Sequence, residues 1–123
     1  MQLLLDTHIL LWYVEGNESL PIVWREYIQS RGNQKLVSIA SLWEIAIKTN
    51  IGKLKIKYPL DQLIPVGFEL LPVSVSHLLA YQKLPLHHRD PFDRILIAQA
   101  QTDGFTIMTK DPNFPLYDVA LLD

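Results

Sequence analysis

The sequence holds no cysteine, and that single absence removes disulfides, thiolate metal sites and thiol nucleophiles together. An apolar run of transmembrane length is missing, as is a leader with a basic start, so a cytoplasmic protein with no membrane association is expected. There is no surplus of basic charge either. The formal net charge of −2 excludes a global electrostatic grip on nucleic acid and confines any such site to a local patch. No internal repeat, low-complexity tract or linker divides the chain. What is present is 123 residues, 49% of them hydrophobic, which suits one domain over residues 1–123 with a sizeable core and no long disordered arm.

Apolar runs at Gln2–Leu5, Lys35–Ile39, Glu69–Val73 and Phe105–Thr109 predict four strands, with a fifth at Tyr117–Leu121. Between them lie helical stretches at His8–Tyr13, Ser19–Arg31, Ser41–Asn50 and from Ser74 or Ser76 to Lys83, with a weaker one at Pro59–Val66. In the second of these, Val23, Tyr27 and Ile28 share one side. Asp90 as N-cap and Pro91 as first residue open a further helix that runs to about Thr102 and stops near Gly104. Strands alternating with helices predict an α/β fold, with a parallel sheet and right-handed crossovers. Trp12, Trp24 and Trp43 are expected in the core.

Four acids stand out against this pattern. Asp93 falls at i, with Ile97 and Ala100 at i+4 and i+7, so a carboxylate sits on a stripe that should face the core. Glu44 shares a face with Ala40, Ile47 and Ile51. Asp6 ends the first strand, and Asp111 lies two residues past Thr109 at the end of the fourth. Each has a bland explanation: Asp93 and Asp6 as caps, Ser41 and Glu44 as a capping box, Asp111-Pro112-Asn113 as a turn. Ligands of open parallel sheets, however, bind beyond the carboxyl ends of the strands. With Glu44 and Asp93 in the first turns of their helices, all four acids converge on that edge, where mutual repulsion calls for a cation. Oxygen ligands without cysteine suit Mg²⁺ or Mn²⁺, and such an ion suits phosphodiester hydrolysis.

In order along the chain, these segments resemble the PIN domain family, and within it the VapC-like toxin ribonucleases of toxin–antitoxin pairs. The resemblance is carried by Leu4-Leu5-Asp6-Thr-His-Ile-Leu-Leu-Trp12, Ser38-Ile-Ala-Ser-Leu-Trp-Glu44-Ile-Ala-Ile-Lys48 with Gly52-Lys53-Leu54, His88-Arg-Asp90-Pro-Phe-Asp93-Arg-Ile-Leu-Ile-Ala-Gln-Ala100, and Thr109-Lys-Asp111. It implies a three-layer α/β/α fold around a central parallel sheet of four or five strands. It also implies a Mg²⁺ or Mn²⁺ site on Asp6, Glu44, Asp93 and Asp111, and endonucleolytic cleavage of RNA. A homodimer and a cognate antitoxin that blocks the site are the implied partners. Two alternatives compete. A phospho-accepting receiver domain needs an acidic pair after the first strand, where this chain has Asp6-Thr7-His8. A catalytically silent PIN-like binding module would have little reason to keep all four acids.

Secondary candidates surround the acids. Thr7, Thr109 and Asp90 are read as supports or substrate contacts, Asp90 chiefly as N-cap. Lys48, Lys53, Lys55 and Lys57 form a run that either touches RNA phosphates or is a solvated basic loop. Arg89 and Arg94 flank the central acids and either clamp phosphate or pair with those carboxylates, and pairing is expected in the free protein. His8, His87 and His88 lack the helical spacing of metal ligands and are read as structural or substrate-contacting.

Overall fold

The computed structural model describes residues 1–123 as a sheet whose innermost strand, β1 (Gln2–Leu5), is the most apolar. Leu3, Leu4 and Leu5 have no solvent exposure, which is the condition of a strand covered on both faces. Around it, β2 (Gln34–Ser38), β3 (Glu69–Leu71) and β4 (Thr106–Met108) complete a four-stranded parallel sheet in the order β3-β2-β1-β4. Register sets Leu4 beside Leu36 on one side and Ile107 on the other.

The five helices are α1 (Thr7–Glu15), α2 (Ile22–Gln29), α3 (Ile39–Asn50), α4 (Val75–Gln82) and α5 (Pro91–Asp103). Alternation along the strands sorts the core into two faces. Leu4, Leu36 and Ile107 pack against Leu96, Ile97 and Ala100 of α5. Leu3, Leu5 and Met108 meet Ile9 of α1 and Trp24 and Ile28 of α2, while Val37 meets Leu10 and Leu11 of α1 and Ile45 of α3. Helices therefore cover both faces, giving the expected three layers. No helix is long and apolar enough to cross a membrane.

Several expectations are corrected. The fifth strand reduces to a single parallel bridge between Leu121 and Ile107, because Phe114–Leu116 forms a 3-10 turn and Tyr117 turns inward to the core. The Pro59–Val66 helix is only a 3-10 turn, Leu60–Gln62. α2 begins at Ile22 after Pro21 rather than at Ser19, and it buries Trp24 and Ile28 while Val23 lies exposed. α3 begins two residues early, at Ile39, because Ser38 caps it, its hydroxyl accepting from the Ala40 amide. Ser41 is thus inside the helix with its buried hydroxyl unpaired, no capping box with Glu44 forms, and Glu44 sits in the second turn. On the Glu44 face only Ala40 is buried, and Ile47 and Ile51 are exposed. Of the tryptophans only Trp24 is fully core; Trp12 is half-buried and Trp43 is 63% exposed.

α5 is the element whose ends were plainest. Asp90 accepts from the amides of Phe92 and Asp93, and Gly104 closes the helix at φ 75° with its N–H on the Ala100 carbonyl. Nothing lies within 4 Å of the position a Cβ would take at Gly104, so a side chain there meets only backbone strain. Gly104→Ala is expected to lower stability by about 1 kcal/mol, the usual cost of a left-handed non-glycine residue. Urea unfolding measures it, and an unchanged midpoint would show that the helix end relaxes freely.

Candidate active site at the carboxyl edge of the sheet

The chain leaves β1 and enters α1 within one residue, Asp6. Its amide stays in the sheet region, donating to the Met108 carbonyl at 3.1 Å, while its side chain turns back to cap α1. Oδ1 accepts from the Ile9 amide at 2.8 Å and Oδ2 accepts from the Thr109 hydroxyl. The same Thr109 oxygen accepts the Asp111 amide at 3.0 Å, and Asp111 Oδ1 in turn accepts from the backbone and side-chain nitrogens of Asn113. Next to Asp6, Thr7 donates its hydroxyl to Glu44 Oε1 at 2.6 Å, and Lys48 Nζ holds Glu44 Oε2 at 3.0 Å. Two hydrogen-bonded sets, Glu44 with Thr7 and Asp6 with Thr109 and Asp111, thus meet at the peptide bond between Asp6 and Thr7.

Asp93 reaches the same edge from the first turn of α5. Its Oδ2 is 3.2 Å from His88 Nε2, and no protein group bonds Oδ1. Burial pushes its carboxyl up to about 8, and the charges of Asp90, Asp111, Glu44 and Asp6 add to the rise. Asp6, 3% exposed, is also raised by burial, against the lowering pull of Thr109, the Ile9 amide and His8. The four acids therefore share one electrostatic field.

They do not form a closed cage. No three acidic or histidine side chains stand close enough to enclose one ion. The two observations are compatible, since Coulombic repulsion reaches farther than a coordination bond and each carboxylate is drawn toward its own hydrogen-bond partners. A cleft of about 210 Å³ opens beside Asp6 and Asp111, with His8, Trp12 and Lys110 on its walls.

The secondary candidates divide. Thr7, Thr109 and Asp90 touch the acids or cap their helix as expected. Lys48 is bound to Glu44, whereas Lys53, Lys55 and Lys57 are exposed without an ion pair. The expected pairing of both arginines with the acids is not found. Arg89 is exposed and unpaired, and Arg94, 6% exposed, donates to the carbonyls of Pro85 and His88 and to the Tyr117 hydroxyl. Lys110 escaped the sequence reading altogether, and of His88, read as structural or substrate-contacting, only the contact with Asp93 did. Lys110 lies with its ammonium 4.1 Å from the Trp24 ring centre, and its only sequence signal is its place between Thr109 and Asp111. His88 meets Asp93 across the Pro91 turn, where helical spacing gives no hint.

A PIN domain family model matches residues 3–120. The chain belongs to the PIN domain family. Among curated proteins there is no significant match. Solved structures share the fold of this PIN domain along nearly its whole length. One is VapBC2 from Rickettsia felis bound to a promoter DNA fragment, with a TM-score of 0.75, 16% identity, and coverage of 99% of this chain and 98% of that one. VapBC-1 from nontypeable Haemophilus influenzae has a TM-score of 0.67 at 18% identity, covering 100% and 98%. FitAcB from Neisseria gonorrhoeae has a TM-score of 0.63 at 17% identity, covering 98% and 96%. Family membership sets the receiver-domain alternative aside.

The raised carboxyl of Asp93 makes the ion-free PIN domain sensitive to pH. Its folded value of about 8 lies above the ordinary 3.8 of an aspartate, so the native state holds the proton more tightly than the unfolded chain does. Stability linked to this group is fully present below about pH 4 and is lost as pH rises toward 8. Thermal midpoints recorded in chelator from pH 5 to 8 should therefore fall more steeply in the wild type than in Asp93→Asn. Parallel curves would show that the carboxyl titrates normally.

Proposed function

We propose that this PIN domain is a metal-dependent endoribonuclease and the toxin of a toxin–antitoxin pair. The observation that carries it is the pair of hydrogen-bonded sets, Glu44 with Thr7 and Asp6 with Thr109 and Asp111, that meet at the Asp6–Thr7 peptide, with Asp93 in the field of their charges. An all-oxygen, part-buried, mutually repelling donor set fits a hard divalent cation, and Asp6, Glu44, Asp93 and Asp111 would hold it. Bound there, Mg²⁺ or Mn²⁺ supplies Lewis acidity toward a scissile phosphodiester and an attacking water.

The protein's own part is positional. Thr109 and the Ile9 amide fix both oxygens of Asp6, and Thr7 and Lys48 fix both oxygens of Glu44. One of the acids orients the water and takes its proton. Lys53, Lys55, Lys57, Arg89 and Lys110 are exposed cations free to meet RNA phosphates, which a chain of net charge −2 needs locally. An antitoxin partner is supported by the fold shared with chains of VapBC assemblies. A protein partner, whether antitoxin or a second copy in a homodimer, is also supported by the exposed apolar stripe Ile39, Trp43, Ile47 and Ile51 on α3.

Purified protein incubated with labelled total RNA and tRNA tests this directly. Cleavage is expected with Mg²⁺ or Mn²⁺, is expected to stop in chelator, and is expected to fall at least about 100-fold in Asp6→Asn and Asp93→Asn. Cutting that survives chelation or either substitution ends the metal-ribonuclease hypothesis. RNA left intact by the wild type with either ion would favour the catalytically silent binding module.

A further inference from the structure

The Tyr117 hydroxyl is surrounded by three polar partners, and their directions determine where its proton goes. Arg94 donates to it at 2.9 Å and the His88 amide donates at 3.3 Å, so both phenolic lone pairs are taken. The hydroxyl's own proton is then left to donate to His88 Nδ1, 2.8 Å away. Nδ1 is thereby the acceptor nitrogen, and the remaining imidazole proton sits on Nε2, which faces Asp93 Oδ2 at 3.2 Å. The assembly is rigid. Arg94 is buried, anchored on the Pro85 and His88 carbonyls and stacked near the rings of Tyr81 and Tyr117, and the His88 and His87 rings both stand edge-on to Tyr117.

We infer that His88 is a positioning residue for Asp93, locked by Tyr117 and Arg94 into the tautomer that donates from Nε2 and so turning the second carboxylate oxygen, Oδ1, toward the acidic edge. Asp93 has no other side-chain hydrogen bond, and without His88 its carboxylate would be free to rotate. This inference rests on the metal-ribonuclease proposal, since a held carboxylate matters most where it ligates. Partners of this kind, bonded to a ligating group rather than to the ion, typically change metal affinity about 10- to 100-fold.

Two measurements on the whole chain test it. In chelator at pH 9, with Asp93 ionised and so only an acceptor, ¹⁵N-resolved imidazole spectra of His88 should report the proton on Nε2, and in Tyr117→Phe that preference should weaken. A proton on Nδ1 in the wild type would overturn the inference. Mn²⁺ affinity, read from the signal of the free ion by electron paramagnetic resonance, should fall about 10-fold in His88→Leu and be largely restored in His88→Gln, whose amide keeps a donor near the Nε2 position. Thermal midpoints of both variants separate this from lost folding: a folded His88→Leu that binds Mn²⁺ as tightly as the wild type refutes the positioning role. Equal loss in His88→Leu and His88→Gln, with both folded, also refutes it. Should the wild type itself bind no Mn²⁺ while the Nε2 proton is present, the ribonuclease proposal fails and the tautomer lock stands.

Discussion

A carboxylate with 3% exposure at the end of the innermost strand is the constraint on which the rest of this molecule depends. Burying an ionised group among leucines is unfavourable unless hydrogen bonds replace the lost water, and Asp6 receives them from two directions. Oδ1 closes the first turn of α1; Oδ2 reaches across to the residue after β4. Two neighbouring strands and a helix are thus fixed relative to one another by one side chain. The same bonds hold both carboxylate oxygens in a defined orientation, so a buried carboxyl that the fold must accommodate is also a well-held candidate ligand. Burial still raises the carboxyl above its usual range, which shows that the hydrogen bonds offset the desolvation only in part.

The other acids extend the pattern, each serving the local backbone or a neighbour as well as the shared edge. Asp111 organises the turn to Asn113, Glu44 is held between Thr7 and Lys48, and Asp90 caps α5 while its charge raises Asp93. These bonds keep the carboxylates from scattering into solvent, yet they also hold them apart. The arrangement is therefore a set of held carboxyl groups under electrostatic tension rather than a closed cage. Structural and functional explanations of the acids, which compete when each is read singly, here describe the same contacts.

How much of this was legible in the chain depends on how local the governing interaction is. Asp90-Pro91 and Gly104 mark α5 to within a residue because caps act over three positions. The apolar run before Asp6 marks β1 for the same reason. From sequence α3 starts at Ser41, whereas the strand runs directly into Ser38, which caps the helix and starts it at Ile39. α2 has apolar residues on more than one side, so only the tertiary contact shows that Trp24 rather than Val23 is inside. Arg94 could not be placed from its neighbours at all. The group that draws it inward is Tyr117, which lies 23 positions away and is anchored in the core beneath α5. The convergence of the acids was readable because parallel strands all present their carboxyl ends to one edge, whereas the His88 contact depends on the path of the loop before Pro91.

An acidic edge repels the phosphodiester it is proposed to cut. Two like charges 10 Å apart in a partly buried setting, at an effective dielectric of about 20, repel by about 2 kcal/mol, and every acid that is ionised adds to this. The exposed lysines cannot cancel this alone, because in water and salt their attraction is screened over about 8 Å. A divalent cation lodged among the acids changes the sign of the local field, and it meets there both the acids that repel each other and the phosphate they would otherwise exclude. Ion and RNA must then assist one another's binding by equal factors, since linkage between two sites is reciprocal. The weak net charge of the chain fits that logic: with no basic surplus overall, the proposed affinity for a polyanion depends on the ion together with the few exposed cations near it.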